Sequence, residues 1–526
     1  MTIHKKHCIM LINKAIVTIA DKGGIIMLEK VEQRKLRKAD CEEELTEMNN
    51  RLIDIANTVK ASKIPVIITI DGWAAAGKGS QISSLIKFMD PRFYNVKPIR
   101  VPNEQELRKP WMHRYWMKFP KQGEFLILDG SWFRDAAKSY MHRTIDKAGY
   151  QRRVNDINTM ERQLHDDGYL IIKLFLHITQ KEQKKRLEAL DKDEYTSWRV
   201  DKSDFVNNKN YDATAKRYDK LLEATNTDAA PWFVIPANDR FTAKYLIMKT
   251  VTEAVEGACA AKKEGKLYTI PPMFPTVNCP PQSFTLLKSK KLAKVDMNKT
   301  LTEEEYRRKL KKYQARLFEL QNICYQRKIP VIIAYEGWDA GGKGGNIKRV
   351  ARALDPRGYE VKPIAAPEPS ELARHYLWRF WKRLENDGHF TIFDRTWYGR
   401  VMVEPIEGIT PRERADMAYR EINEFERQLT DWGAEIFKFW INIDKDEQYR
   451  RFKARESNPS AQWKITDEDW RNREKWDEYE KAVDRMIELT STDFAPWTIV
   501  EGNDKKYARI KALKTICDRL EKRLKE

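Results

Sequence analysis

Apolar positions along the chain fall in short unbroken runs rather than in alternation. "IPVIITI" (64–70) and "IPVIIAY" (329–335) come first in each half. "FLILD" and "FTIFD", "LIIKLFLHI" and "EIFKFWINI", and "PWFVIP" and "PWTIV" follow in that order. Continuous runs of five to nine residues, rich in β-branched side chains, predict strands buried on both faces. The stretches between them mix polar and apolar residues at helical spacing, as do the segments 27–62 and 301–327 ahead of the first run in each half. Strands that alternate with helices predict an α/β fold, a parallel sheet sandwiched by helices.

The pattern occurs twice. A single offset of 265 residues carries Gly72 onto Gly337, Pro98 onto Pro363, Asp129 onto Asp394, Trp132 onto Trp397 and Glu161 onto Glu426. It also carries Trp198 onto Trp463, Pro231 onto Pro496 and Asn238 onto Asn503. The chain therefore reads as two tandem domains, 27–265 and 301–526. They are joined by a linker, 266–300, whose five prolines from Pro271 to Pro281 exclude helix or central strand. Residues 1–26 carry basic and then apolar residues, but Lys14, Asp21 and Lys22 interrupt the run and no small-residue cleavage site is clear. They read as a non-native or unstructured extension, with the natural start at Met27.

Composition narrows the function classes. Of 526 residues, 41% are hydrophobic, enough for two cores, and no uncharged apolar run is long enough for a membrane span. The six cysteines and eight histidines are scattered, with no CxxC pair or metal-ligand spacing, which points to free thiols in a reducing cytoplasm. The net charge of +19 favours polyanionic partners without choosing among nucleic acid, anionic lipid and polyphosphorylated substrate.

The chemistry is carried by "EGWDAGGKGGNI" (336–347), with a near copy, "DGWAAAGKGSQI", at 71–82. Gly337, Gly342 and Lys343 fit GxxxxGK between a predicted strand and a predicted helix, the setting of a phosphate-binding loop. Glycines at 337, 341, 342 and 344 let backbone N–H groups converge on an anion, and Lys343 adds a point charge. The residue after the lysine is Gly344 rather than the Ser or Thr that ordinarily reaches Mg²⁺, so the metal needs other oxygen ligands. Asp339 in the loop and Asp394 at the end of "FTIFD" are the expected pair. Arg395 and Arg400 follow in "RTWYGR", at the strand end where open α/β sheets bind ligands, and suit a migrating phosphoryl group. Lys362 in "VKP" is a further phosphate contact or simply part of a proline-fixed turn. Trp378 and Trp381 in "HYLWRFWKRL" are expected in the core, with the basic residues outward. The polar helix 410–429, with Arg412, Arg414, Arg420 and Arg427, is where a lid is expected. The first copy keeps Lys78 and Asp129 but has Ala74, Gly130 and Asp135 where the second has Asp339, Arg395 and Arg400. Catalysis is therefore expected in the second domain, with the first as scaffold.

Taken together, "EGWDAGGKGG", "VKPIAAP", "YLWRFW", "FDRTWYGRVMVE", "ERQL", "EQ…RF" and "APWTIVEGNDK" resemble type 2 polyphosphate kinases, and the tandem form resembles the polyphosphate:AMP phosphotransferases. The resemblance covers 301–515 and, more weakly, 36–250. It implies P-loop kinase-like domains with a helical lid, and Mg²⁺-dependent transfer of a terminal phosphoryl group from inorganic polyphosphate to AMP, giving ADP. Lys343 and the glycines would hold phosphate, Asp339 and Asp394 would bind metal or orient the acceptor, and Arg395 and Arg400 would steady the transferred group. The competing readings are a polyphosphate-dependent kinase of nucleoside diphosphates, an ATP-dependent nucleoside monophosphate kinase, and a nucleic-acid-binding protein without turnover. The first of these expectations carries no specific nucleic-acid partner and no membrane, and leaves open whether the chain forms a homodimer.

Overall fold

The protein is described here by a computed structural model covering residues 27–141, 143–459, 462 and 465–525. The expected extension 1–26 and Trp463 lie outside the described residues.

The chain forms two compact units, each built on a five-stranded sheet. In the first unit the strands are β1 (Val66–Gly72), β2 (Tyr94–Pro98), β3 (Phe125–Asp129), β4 (Leu170–His177) and β5 (Trp232–Pro236). Their order across the sheet is β2-β3-β1-β4-β5, and every pairing is parallel. The second unit repeats this with β6 (Val331–Gly337), β7 (Tyr359–Pro363), β8 (Phe390–Asp394), β9 (Glu435–Asn442) and β10 (Trp497–Glu501), in the order β7-β8-β6-β9-β10. β6 is central and buried along nearly its whole length, which is why its sequence is an apolar run. The edge strands β2 and β7 are half exposed and lack that run. The VKP motifs lie inside these edge strands rather than after them.

The helix Glu303–Gln326 begins with a capping box, Thr302 and Glu305 bonding reciprocally, and packs on the C-terminal helix Lys505–Lys525. Both lie over the core made by β6, β8 and β9. The expected domain boundary needs refining. Residues 266–280 belong to the first unit and 281–300 to the second, and each stretch is tied down: Val277 N donates to Asn226 O (2.8 Å), Leu287 N to Ser491 O (2.7 Å). The second unit also includes Pro102–Met117, where Arg108 Nε donates to Asp387 (2.8 Å), and the first includes Ala373–His375.

Each core contains one fully buried ion pair, Lys173–Glu161 (2.7 Å) and Lys438–Glu426 (2.8 Å). Lys438 also donates to Thr490 O (2.6 Å) and Tyr398 Oη (2.9 Å), and Glu426 accepts from Trp397 Nε1 (3.0 Å) and Tyr398 Oη (2.7 Å). A buried pair gives little net stability, but removing one partner costs about 3–5 kcal/mol, so these pairs fix geometry. The geometry they fix is the turn after β3 and β8.

At one buried position the units use different partners for the same tryptophan. Trp73 Nε1 donates to His177 Nδ1 (3.1 Å), while its counterpart Trp338 donates to Asn442 Oδ1 (2.9 Å). Burial pushes the His177 pKa down to about 4. Its contribution is complete above the unfolded value of about 6.5 and is lost as pH falls toward 4, about 3 kcal/mol in all. The opening free energy of the β1–β5 amides, from exchange rates corrected for their intrinsic pH dependence, should therefore fall between pH 6.5 and 4, and His177→Asn should remove that part of the pH slope.

Candidate active site

A strand that runs into a helix must turn its backbone sharply, and the loop 337–342 does so through left-handed residues. Gly337 has φ 152°, Ala340 58° and Gly342 112°. Gly337 cannot carry a side chain, because a Cβ there would stand 2.5 Å from Ile441 O on β9. The helix Lys343–Ala351 starts at once, so its free N–H groups and its dipole face the loop opening.

The loop's carbonyls are tied back from behind. Arg451, almost fully buried, donates Nη1 to Ala340 O (2.9 Å) and Gly341 O (2.8 Å), and Nη2 to Gly502 O (2.6 Å) and Asn503 O (3.1 Å). Gln448 Nε2 donates to Asp339 O (3.1 Å). Lys343 Nζ donates to Gly337 O (2.6 Å) and Trp338 O (3.4 Å).

Tyr335 and Asp394 are register partners on β6 and β8, so the loop and the turn after β8 emerge side by side at the carboxyl edge of the sheet. Arg395 occupies a left-handed conformation (φ 64°), its N–H donating to Tyr335 O (3.1 Å). Its guanidinium lies 3.8 Å from Asp339, whose other oxygen accepts from Asn472 Nδ2 (3.1 Å). Glu336, one residue before the loop, is buried and accepts from Thr396 N and Thr396 Oγ1, both 2.7 Å. Burial pushes its pKa up, opposed chiefly by the positive charge of Lys343.

These groups surround a cavity of about 110 Å³. Gly337, Asp339, Lys343 and Arg395 line it together with Glu468, Asn472 and Tyr479. Not every expected residue is there. Asp394 ends β8 next to Arg395 but is not among the lining residues, nor are Gly341, Gly342 and Gly344. Arg400 is held by Glu404 (2.9 Å) and Thr410 Oγ1 (2.5 Å) and lies over the Tyr376 ring (4.3 Å). Lys362 is held between Glu360 (2.6 Å) and Glu385 (2.7 Å). The arginines of the helix Arg412–Asp431 pair locally: Arg414 with Glu421 (3.2 Å), Arg420 with Glu424 (3.9 Å) and Arg427 with Asp431 (2.8 Å), while Arg412 is exposed. That helix buries Ala415, Ala418, Ile422, Phe425 and Leu429 and packs as a core helix. The residues facing the loop come instead from the helices Asp467–Glu474 and Trp476–Thr490, with Trp476 stacked on Trp338 at 3.7 Å. Arg379 is another correction, since it is buried against Glu371 (3.2 Å) rather than pointing outward.

Sequence reasoning gave no role to Glu336, Thr396, Gln448, Arg451 or Asn472. The offset that exposed the duplication carries a signal for four of them: Gln183, Arg186 and Asn207 stand at the matching positions, and Asp71 replaces Glu336.

The polyphosphate kinase 2 family model matches residues 35–263 and 300–526. The chain belongs to the polyphosphate kinase 2 family. It is 39% identical to the polyphosphate:AMP phosphotransferase of Pseudomonas aeruginosa over 92% of this chain and 96% of that one. It is 36% identical to the enzyme of the same name from Acinetobacter johnsonii, over 86% and 90%. An ADP-polyphosphate phosphotransferase of P. aeruginosa matches only 40% of this chain, at 37% identity over 70% of its own length. A crystal structure described as a polyphosphate kinase 2 from P. aeruginosa superposes with a TM-score of 0.81 and 36% identity, covering 95% of this chain and 99% of that one.

The four carbonyl bonds of Arg451 require a planar fork, which a lysine cannot supply. Arg451→Lys is expected to lower turnover by about tenfold or more through a misplaced loop, and to lower the melting temperature. Steady-state kinetics with differential scanning calorimetry checks both.

Proposed function

We propose that the second unit transfers the terminal phosphoryl group of inorganic polyphosphate to AMP, forming ADP. The observation that carries this reading is the convergence of Lys343, Asp339 and Arg395 on one cavity at the mouth of a glycine loop. The match along nearly the whole tandem chain to polyphosphate:AMP phosphotransferases supports AMP as acceptor, because the ADP- and NDP-directed relatives match only about two-fifths of it.

In this reading an oxygen of the AMP phosphate attacks the terminal phosphorus of the chain. The P–O bond to the penultimate phosphate breaks, and the chain leaves one unit shorter. Such transfers need positioning and charge neutralisation rather than a protein nucleophile. The loop amides and Lys343 hold the donor phosphates, and Lys343 exchanges its bonds to Gly337 O and Trp338 O for phosphate oxygens. Arg395 neutralises charge on the moving group, and its distance from Asp339 keeps it at the cavity mouth. Arg400, bound to Glu404 and Thr410, holds the segment after β8 in place. Asn472 orients Asp339 and, with Tyr479, screens the cavity from water, limiting hydrolysis.

No three His, Cys, Asp or Glu side chains converge as a metal cage among the described residues. The carboxylates nearest the loop are Asp339 in the cavity wall and Asp394 at the end of β8, and Mg²⁺ takes one or two carboxylates and completes its shell with substrate phosphates and water. Asp339, with Asp394 on the neighbouring strand end, would hold it, and when bound it offsets phosphate charge and orients the chain.

Purified protein with AMP, Mg²⁺ and polyphosphate, without ATP, should yield ADP. Activity with ATP alone as donor, or with ADP as the preferred acceptor, would overturn the assignment. Lys343→Ala or Asp339→Ala should each reduce kcat by roughly 10³ or more while leaving the melting temperature near that of the parent.

A further inference from the structure

The first unit has lost Asp339's counterpart, yet its loop keeps the backbone of an anion cradle. Gly72, Ala75 and Gly77 have φ 132°, 59° and 97°, close to their partners in the second unit. Arg186 ties back Ala76 O (3.1 Å) and Ala75 O (3.4 Å), Gln183 ties back Ala74 O (3.3 Å), and Lys78 Nζ bonds Trp73 O (3.0 Å). Asp71 accepts from Ser131 N (3.1 Å) and Ser131 Oγ (2.7 Å), as Glu336 does from Thr396.

The arginine at the cradle has moved rather than disappeared. Where the second unit has Arg395 and Gly399, the first has Gly130 and Arg134. Arg134 sits on the helix Trp132–Met141, and its guanidinium lies directly against Gly130, so that a Cβ at 130 would collide with it. From there it donates to Ile99 O and lies within electrostatic reach of Lys78 and Asp71. A guanidinium has five N–H donors, and the bond to Ile99 uses one.

The charge balance of the two cradles then differs. Around the second loop, Lys343 and Arg395 stand among Glu336, Asp339, Asp394 and Glu468. Around the first, Lys78 and Arg134 stand among Asp71, Asp129 and Asp204, one carboxylate fewer and none of them in the loop after the strand. With Ala74 in place of Asp339, the first cradle opposes an anion less than the second and has no loop carboxylate through which a divalent cation would be recruited.

We infer that the loop 72–78 with Lys78 and Arg134 is a second binding site for an inorganic phosphate chain, one that works without Mg²⁺ and performs no transfer. The choice of a phosphate chain over another polyanion rests on the function proposed above. The site's existence does not depend on that function, and its test uses binding alone.

The test is calorimetric titration of the full chain with inorganic tripolyphosphate in EDTA. The chain carrying Lys343→Ala and Arg395→Ala is expected to bind about one tripolyphosphate. Adding Arg134→Ala should weaken that binding about tenfold or more, and Arg134→Lys should restore part of it. AMP in place of tripolyphosphate should give no comparable heat. The inference fails if the Lys343→Ala/Arg395→Ala chain, folded by circular dichroism, binds no tripolyphosphate without Mg²⁺. It fails equally if Arg134→Ala leaves the affinity unchanged, or if AMP competes for the site. A chain that binds in this way but makes no ADP from polyphosphate and AMP would refute the proposed function and leave this site standing.

Discussion

A backbone that turns its amides toward an anion must turn its carbonyls elsewhere, and Arg451 is where they go. Its one guanidinium accepts the burden of four carbonyls, two from the glycine loop and two from the turn after β10, in a nearly dry setting. Unpaired, such groups would each carry a desolvation penalty of about 1–3 kcal/mol. The arginine therefore makes the cradle possible and also locks two strand ends together. Gly337 completes the constraint from the other side, since the loop leaves β6 so close to Ile441 that no Cβ fits. Everything that can reach a phosphate is set by this junction. The buried Lys438–Glu426 pair does for the turn after β8 what Arg451 does for the loop, pinning Trp397 and Tyr398 so that Arg395 emerges beside Asp339.

Both units keep this framework, and that separates fold from chemistry within one chain. Arg186, Gln183, Lys173 and Glu161 repeat the bonds of Arg451, Gln448, Lys438 and Glu426. Among the differences are side chains at the cavity itself: Asp339 against Ala74, Arg395 against Gly130, Gly399 against Arg134. Lys173–Glu161 is retained in a unit whose loop has Ala74 in place of Asp339, in keeping with an ion pair that serves the turn. Lys343 has its counterpart in Lys78, so within the loop it is Asp339 that sets the second unit apart.

The parallel sheets, the glycine loop and the duplication were all legible, because each leaves a local pattern in the chain, whereas the order of strands across the sheet leaves none. Buried parallel strands write themselves as apolar runs, and a loop with left-handed residues writes itself in glycine. β2 and β7 were harder to read, being edge strands with polar, half-exposed faces. The braces were illegible for a different reason: Arg451 lies more than a hundred residues from the loop it holds, and a buried arginine looks like any other on a charged helix. The helix 412–431 was misread in the same way. Its charges suggested a solvent-facing cover, but they pair along one side of the helix while its alanines and aromatics settle into the core. Arg400 and Lys362 had the right residue type near the right strand ends, yet each has acidic neighbours close enough to claim it. Spacing in sequence cannot reveal such a competition between carboxylates and substrate.

The conformation of Arg395 argues for its role independently of its charge. A residue with a Cβ in the left-handed region costs about 1 kcal/mol, and the position itself does not demand a side chain, because Gly130 fills it in the first unit. The strain at 395 is thus tolerated for what the side chain does there. Ala340 and Ala75 make the contrast plain: both are left-handed, both carry a Cβ, and there the loop path alone imposes the conformation. At position 130 the first unit keeps the left-handed turn but fills it with glycine (φ 72°), which bears no strain there, and brings its arginine from the following helix instead. The outcome is a cation near the same place but without an aspartate to aim it. Fixing a guanidinium 3.8 Å from Asp339 requires the strained route. Merely attracting an anion does not.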